Sequence, residues 1–198
     1  SLILPRSSTL MITTSMTWAS TLNTIVLQGG IPVLADIDPK TLNIDPERIE
    51  ARITPRTRGI IPVHLTGLPA PMVAIWEMAE RHGLWVVEDA AQAMGAHHGG
   101  RKVGSDPRSV ASVYSFHPNK NMTTGEGGAL VLHDDRLLDR AKRLRFHGIE
   151  KDAWKRFSKE GSPHTEVMEP GRKANLMDIQ AALTSSAQEA GRVQCAAR

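Results

Sequence analysis

The chain of 198 residues has one cysteine, Cys195, so no disulfide framework staples it, and its stability has to come from a hydrophobic core. With three Phe and one Tyr it lacks the aromatics of a base-stacking platform for single-stranded nucleic acid. No apolar run reaches the ~18 residues of a membrane-spanning helix. Ser1–Leu10 has neither the basic start nor the apolar stretch of a secretory signal, and together with the lone thiol this assigns the chain to the cytosol. Charge of one sign is not in excess either: 24 Lys+Arg face 21 Asp+Glu, a net +3. The densest basic group, Arg140–Arg145, has the pattern of a solvated helix face, so nucleic acid is not an expected partner. Repeats and low-complexity tracts are missing. No Gly-Lys-Ser/Thr closes a glycine-rich loop, which excludes a Walker-type phosphate site. His97-His98 precede Gly99-Gly100 and read as a surface turn rather than a ligand pair, so no metal is expected.

What the chain has is an alternation of short apolar runs and amphipathic stretches. Strands are predicted over Pro32–Asp36, Gly59–Val63, Leu84–Val87, Val113–Phe116 and Ala129–Leu132. Helices are predicted over Pro46–Ile53, capped by Asp45, over Met72–His82, stopped by Gly83, and over Leu137–Phe146. Such alternation argues for an α/β fold with a mostly parallel sheet and helices on both faces. Ligands of these folds sit beyond the carboxyl ends of strands, which directs attention to the residues just past Val87 and Phe116. After Val87 comes Asp89, readable either as the cap of a following helix or as a functional carboxylate. After Phe116 comes Lys120, in a turn rich in Thr and Gly. It is readable either as a surface residue or as an amine nucleophile. Ser115, five residues before Lys120, could meet a phosphate. Trp18 by itself reads as a core residue.

The segments Val86–Ala93 and Ser115–Gly128 resemble those of the DegT/StrS group of sugar aminotransferases. Thr17–Asn23, Asp36–Asp38, Ile53–His64, Arg145–Gly148, Pro170–Gly171 and Asp178–Ala182 resemble the same group in the same order, over about residues 11–183. The branch it most resembles makes a nucleotide-linked 4-amino-4-deoxy-L-arabinose for lipid A modification. The resemblance implies a fold-type-I enzyme using pyridoxal 5′-phosphate. An amino group would pass from an amino acid, glutamate by expectation, to a nucleotide-linked keto-sugar. By the same resemblance, Lys120 holds the cofactor as a Schiff base and moves protons, and Asp89 pairs with the pyridine nitrogen. Gln92 meets the ring hydroxyl, Ser115 binds the phosphate, Trp18 stacks on the ring, and Asn175 reaches the phosphate across a homodimer. Lysine at 120 separates the chain from the related dehydratases, which carry histidine there. Glu126 and His147 lie in family motifs without an assigned role.

The chain also departs from the family pattern. Segments that in the family precede and follow this region are not in it, Ser105–Ser112 is longer than usual, and Arg172 and Ala174 replace aromatic residues. Residues 1–183 are therefore expected to be a partial cofactor-binding large domain. Residues 184–198, where apolar periodicity stops, are expected to be an atypical tail, disordered or out of frame. The alternative expectation is a relic of such an enzyme without turnover.

Overall fold

The computed structural model describes residues 9–149 and 166–186. In chain order its elements are β1 (Leu10–Thr14), α1 (Ala19–Leu27), β2 (Ile31–Ala35), α2 (Pro46–Glu50), β3 (Thr57–Ile61), α3 (Met72–His82), β4 (Trp85–Asp89), the two-residue strands β5 (His97–His98) and β6 (Arg101–Lys102), β7 (Ala111–Ser115), β8 (Gly128–Leu132) and α4 (Asp135–Leu144). A helix also covers 178–186 and runs through the position where apolar periodicity stops. The rest of the expected tail, 187–198 with Cys195, lies outside the described residues, as do residues 1–8.

Six strands make one sheet in the order β2-β1-β3-β4-β7-β8. The first five are mutually parallel and β8 runs antiparallel to β7. The expectation of a mostly parallel α/β sheet therefore holds. The reason is visible in α3, whose Met72, Ile75, Trp76, Met78 and Ala79 recur at helical spacing and are buried against Ile12, Ile60 and Val86 of the strands. Gly83 ends this helix in the left-handed region, φ 62°, as its sequence position predicts. Asp45 caps α2 by accepting the Glu47 N–H at 2.9 Å.

Several boundaries differ from those read off the sequence. β1 and α1 have no counterpart among the predicted elements, because Leu10–Thr14 and Ala19–Leu27 mix Thr, Ser and Asn with their apolar residues. α2 stops at Glu50 rather than Ile53. α4 starts two residues before the predicted Leu137, because the Asp134 carboxylate accepts the Arg136 N–H at 2.8 Å. β4 runs on to Asp89, and β7 starts at Ala111 and ends at Ser115. The predicted turn at His97-His98 is instead strand β5. The turn itself is Gly99-Gly100, at φ 56° and 78°, and the His98 ring sits edge-on to Trp76. The basic face of α4 is not wholly solvated: Arg140 and Arg143 reach Glu169 at 2.9 and 3.8 Å.

Glu88 precedes Asp89 on β4 and so faces the opposite side of the sheet. There it is buried against His64, with 1% and 0% of their surfaces exposed. The His64 Nδ1 accepts the Ala70 N–H at 3.0 Å, so the ring proton is on Nε2 and is donated to Glu88 Oε2 at 2.9 Å. Burial, the largest single influence, pushes the Glu88 carboxyl up, but the hydrogen bond from His64 and the smaller influences of His64, Ser109 and Ser112 together outweigh it, and the net direction is below 4.5. A carboxyl lowered by folding stabilises the protein above its unfolded pKa, and that contribution disappears as pH falls through the lower folded value. The melting temperature of the wild type is therefore expected to fall more steeply than that of Glu88→Gln as pH is lowered from about 6 to about 3. Thermal melts of both proteins across that range check this, and parallel curves refute it.

Candidate active site

The strands β1, β3, β4 and β7 are neighbours and parallel, so the loops leaving their carboxyl ends share one edge of the sheet. Asp89 ends β4 on this edge. Its N–H donates to the Pro62 carbonyl at 2.9 Å, and its own carbonyl accepts the His64 N–H at 3.0 Å. The next amide, Ala90, donates to the Val113 carbonyl of β7 at 2.9 Å. The carboxylate is thus carried on backbone held from both sides. Its Oδ2 accepts the Thr21 hydroxyl at 2.7 Å and its Oδ1 accepts the Ala91 N–H at 3.2 Å. The reading of Asp89 as a helix cap does not hold, because the next residues form a turn and not a helix.

Thr21 is buried in the first turn of α1, and its Oγ1 lies 2.9 Å from that of Thr17. Trp18 is the N-cap of the same helix and is 81% exposed. It is not a core residue, and its ring is uncovered at the same edge as Asp89.

Gln92 lies three residues beyond Asp89, and its Oε1 accepts the Thr66 N–H at 2.7 Å. A backbone donor fixes the amide's orientation, which leaves the NH₂ group as the part available to a ligand. The loop that supplies this N–H is conformationally demanding: Thr66 has φ 53° and Gly67 φ 86°, and a Cβ on Gly67 would sit 3.0 Å from the Gln92 carbonyl oxygen. Gly67→Ala is expected to cost more than about 1 kcal/mol of stability, read as a lower urea midpoint. An unchanged midpoint would show that the loop can relax.

Ser115 ends β7. Its hydroxyl oxygen accepts the His117 N–H at 3.3 Å, and among the described residues its own O–H donates to no protein group. Lys120 is half-buried in the connection from β7 to β8, and its N–H donates to the His117 carbonyl at 3.0 Å. That connection is closed by Phe116 N–H to the Gly127 carbonyl at 2.9 Å and by Thr124 N–H to the Phe116 carbonyl at 3.1 Å. The side chain of Asn121 donates to the Met94 carbonyl at 2.8 Å. This bond ties the lysine turn to the loop that carries Gln92.

Five of the six residues singled out from the sequence, Trp18, Asp89, Gln92, Ser115 and Lys120, therefore lie along one sheet edge. Asn175 is not joined to them: it is exposed, in a segment whose Arg172 and Ala174 bond to the end of α4 and the residues after it. Lys173 lies with its ammonium 4.5 Å from the Phe146 ring centre. Glu126 contributes its carbonyl, which accepts the Gln180 amide at 2.7 Å. His147 has φ 60° and its ring stands edge-on to Phe146. Sequence reasoning missed Thr17, Thr21 and Thr66. The i, i+4 spacing of Thr17 and Thr21 was a usable signal; the Thr66 contact was not, because it acts through the backbone. Among the described residues no group of three His, Cys, Asp or Glu could hold a metal ion, and no helix is long and apolar enough to cross a membrane.

The family model described as the DegT/DnrJ/EryC1/StrS aminotransferase family matches residues 6–190. Among solved structures, PseC of Helicobacter pylori, an aminotransferase involved in the biosynthesis of pseudoaminic acid, is 32% identical with a TM-score of 0.82, over 92% of this chain and 46% of that one. DesI, solved in the presence of its TDP-sugar product, is 35% identical with a TM-score of 0.76, over 92% of this chain and 43% of that one. The PLP-form of the putative sugar aminotransferase Spr1654 from Streptococcus pneumoniae is 26% identical with a TM-score of 0.81, over 92% of this chain and 49% of that one. The chain thus spans a little under half the length of these structures.

Proposed function

Because this chain belongs to the DegT/DnrJ/EryC1/StrS aminotransferase family, we propose that it forms the cofactor-binding part of a sugar aminotransferase. Residues 1–183 are its part of the large domain. The amino donor is glutamate and the acceptor a nucleotide-linked keto-sugar. Resemblance of the motif segments to the 4-amino-4-deoxy-L-arabinose branch supports a place in lipid A or cell-surface sugar synthesis. The working form is a homodimer in the cytosol, a compartment in keeping with a single thiol. The observation that carries this reading is the shared edge. There the anchored carboxylate of Asp89 and the half-buried Lys120 are linked through the Asn121–Met94 bond.

Family members use pyridoxal 5′-phosphate. The groups free at this edge fit such a molecule one by one. The Asp89 carboxylate would face a protonated ring nitrogen, and the free NH₂ of Gln92 is a donor suited to a phenolate oxygen. The Ser115 hydroxyl has its proton available for a phosphate. The uncovered Trp18 ring can lie against a flat heterocycle. Lys120 would hold the group covalently through Nζ. Asn175 has no such support within the chain; we assign it to the phosphate of a partner subunit.

The bound group supplies an electron-withdrawing ring that lets an amino group leave one molecule and join another. Asp89 would keep the ring nitrogen charged by offering it a fixed anion, which the Thr21 hydroxyl holds in place. Trp18 and Gln92 would hold the orientation of the bound ring relative to Lys120. As a free amine, Lys120 would also be the base that moves a proton, from a turn anchored by the Asn121–Met94 bond. The test is a spectrum of the purified chain with added pyridoxal phosphate, before and after borohydride. A visible band that borohydride removes, with the adduct mapped to Lys120, supports the reading. A folded protein without an adduct on Lys120 refutes it.

A further inference from the structure

Asp89 is held by something its own strand does not supply. Its Oδ1 accepts one bond, from the Ala91 N–H of its own loop, and its Oδ2 one, from a hydroxyl of another element, Thr21 of α1, 68 residues earlier in the chain, which leaves each oxygen a further lone pair for a ligand. An ionised carboxylate only accepts, so Thr21 is the donor in this 2.7 Å bond. The Thr21 oxygen is then free to accept in turn, and Thr17, 2.9 Å away and one helical turn earlier, is placed to donate to it. The direction of the chain is set by its end: Thr17 to Thr21 to Asp89. Bonds in series polarise one another, and a hydroxyl pair with 6% of Thr21 exposed competes little with water. Trp18 lies between the two threonines in sequence, so the same half-turn that presents its ring also carries the donors.

We propose that Thr21, backed by Thr17, is a positioning residue that fixes the Asp89 carboxylate and couples its orientation to the Trp18 turn. This rests on the function proposed above. It predicts that the hydroxyl, not the bulk, of residue 21 is what matters. In Thr21→Val, which keeps the shape, the apparent affinity for pyridoxal phosphate is expected to fall about tenfold, as one charge-assisted bond is lost. Thr21→Ser is expected to stay within about twofold of wild type, and Thr17→Val to fall between the two.

The experiment has two readouts on the full chain. One is the affinity for pyridoxal phosphate, from absorbance titration. The other is the carboxyl carbon resonance of Asp89 in protein without cofactor, assigned by its loss in Asp89→Asn. Weakening in Thr21→Val with rescue in Thr21→Ser, and a carboxyl resonance displaced in Thr21→Val and Thr17→Val but not in Thr21→Ser, bear the proposal out. Equal affinity in Thr21→Val and wild type overturns it. Equal weakening in the valine and serine variants also overturns it, because it would show a packing effect. If Thr21→Val does not fold, Thr17→Val decides: an unmoved resonance and affinity there overturn the proposal. A wild type that captures no cofactor, while Thr21→Val still displaces the resonance, sinks the proposed function but upholds the carboxylate anchor.

Discussion

Lys120→Ala is expected to abolish the borohydride-trapped adduct altogether and to cut amino transfer by at least about a hundredfold. The expectation rests on where the residue is carried. The turn from β7 to β8 is closed by backbone bonds at Phe116 and Thr124, and Asn121 pins it to the Met94 carbonyl. A turn this constrained fixes the Cα from which the lysine side chain reaches, the starting point that a nucleophile that also moves a proton requires. Removing the side chain disturbs none of these backbone bonds, so the fold should be unaffected and melting unchanged. Cofactor should still associate reversibly through Asp89, Gln92 and Ser115, with lower affinity. Mass spectrometry after borohydride reads the adduct, and equilibrium dialysis reads the reversible part. An adduct of undiminished yield in Lys120→Ala would place the covalent site elsewhere and overturn the assignment.

The second large effect concerns stability. Glu88→Ala is expected to cost about 3 kcal/mol, because it strands the Nε2–H of a fully buried His64 and opens a cavity beside it. On a total of about 5–15 kcal/mol that is a large fraction. Glu88→Gln should cost much less at neutral pH, since a carboxamide oxygen can still accept from His64. The pair also has a functional reach. The His64 backbone N–H donates to the Asp89 carbonyl, so loosening His64 loosens the strand end that carries the carboxylate. Glu88→Ala is therefore expected to weaken cofactor capture as well, even though its side chain lies on the other face of the sheet. Urea unfolding of both variants checks the first part, and titration with pyridoxal phosphate the second. Equal midpoints for the alanine and glutamine variants would show that the hydrogen bond from His64 contributes little.

The chain's own pattern determined a great deal. The spacing of Met72, Ile75, Met78 and Ala79 makes α3 wherever it is placed, and Asp45 and Gly83 mark helix ends by local chemistry alone. Likewise, apolar runs ending in Glu88-Asp89 and in Ser115 announce strands whose carboxyl ends carry polar groups. These are properties of near neighbours along the chain, so a linear reading can reach them. β1 and α1 escape such a reading because their burial depends on partners far away. Thr13 donates its hydroxyl to the Ile61 carbonyl, and Thr21 donates to Asp89, so their polarity is satisfied rather than solvated. The tertiary structure alone decided that Trp18 is uncovered, that Gln92 offers its NH₂ and not its oxygen, and that Asp89 is anchored by α1. It also set Asn175 apart from the rest. The holds on Gln92 and Asp89 are contacts between segments tens of residues apart, and their geometry exists only once the parallel sheet has brought four strand ends to one edge.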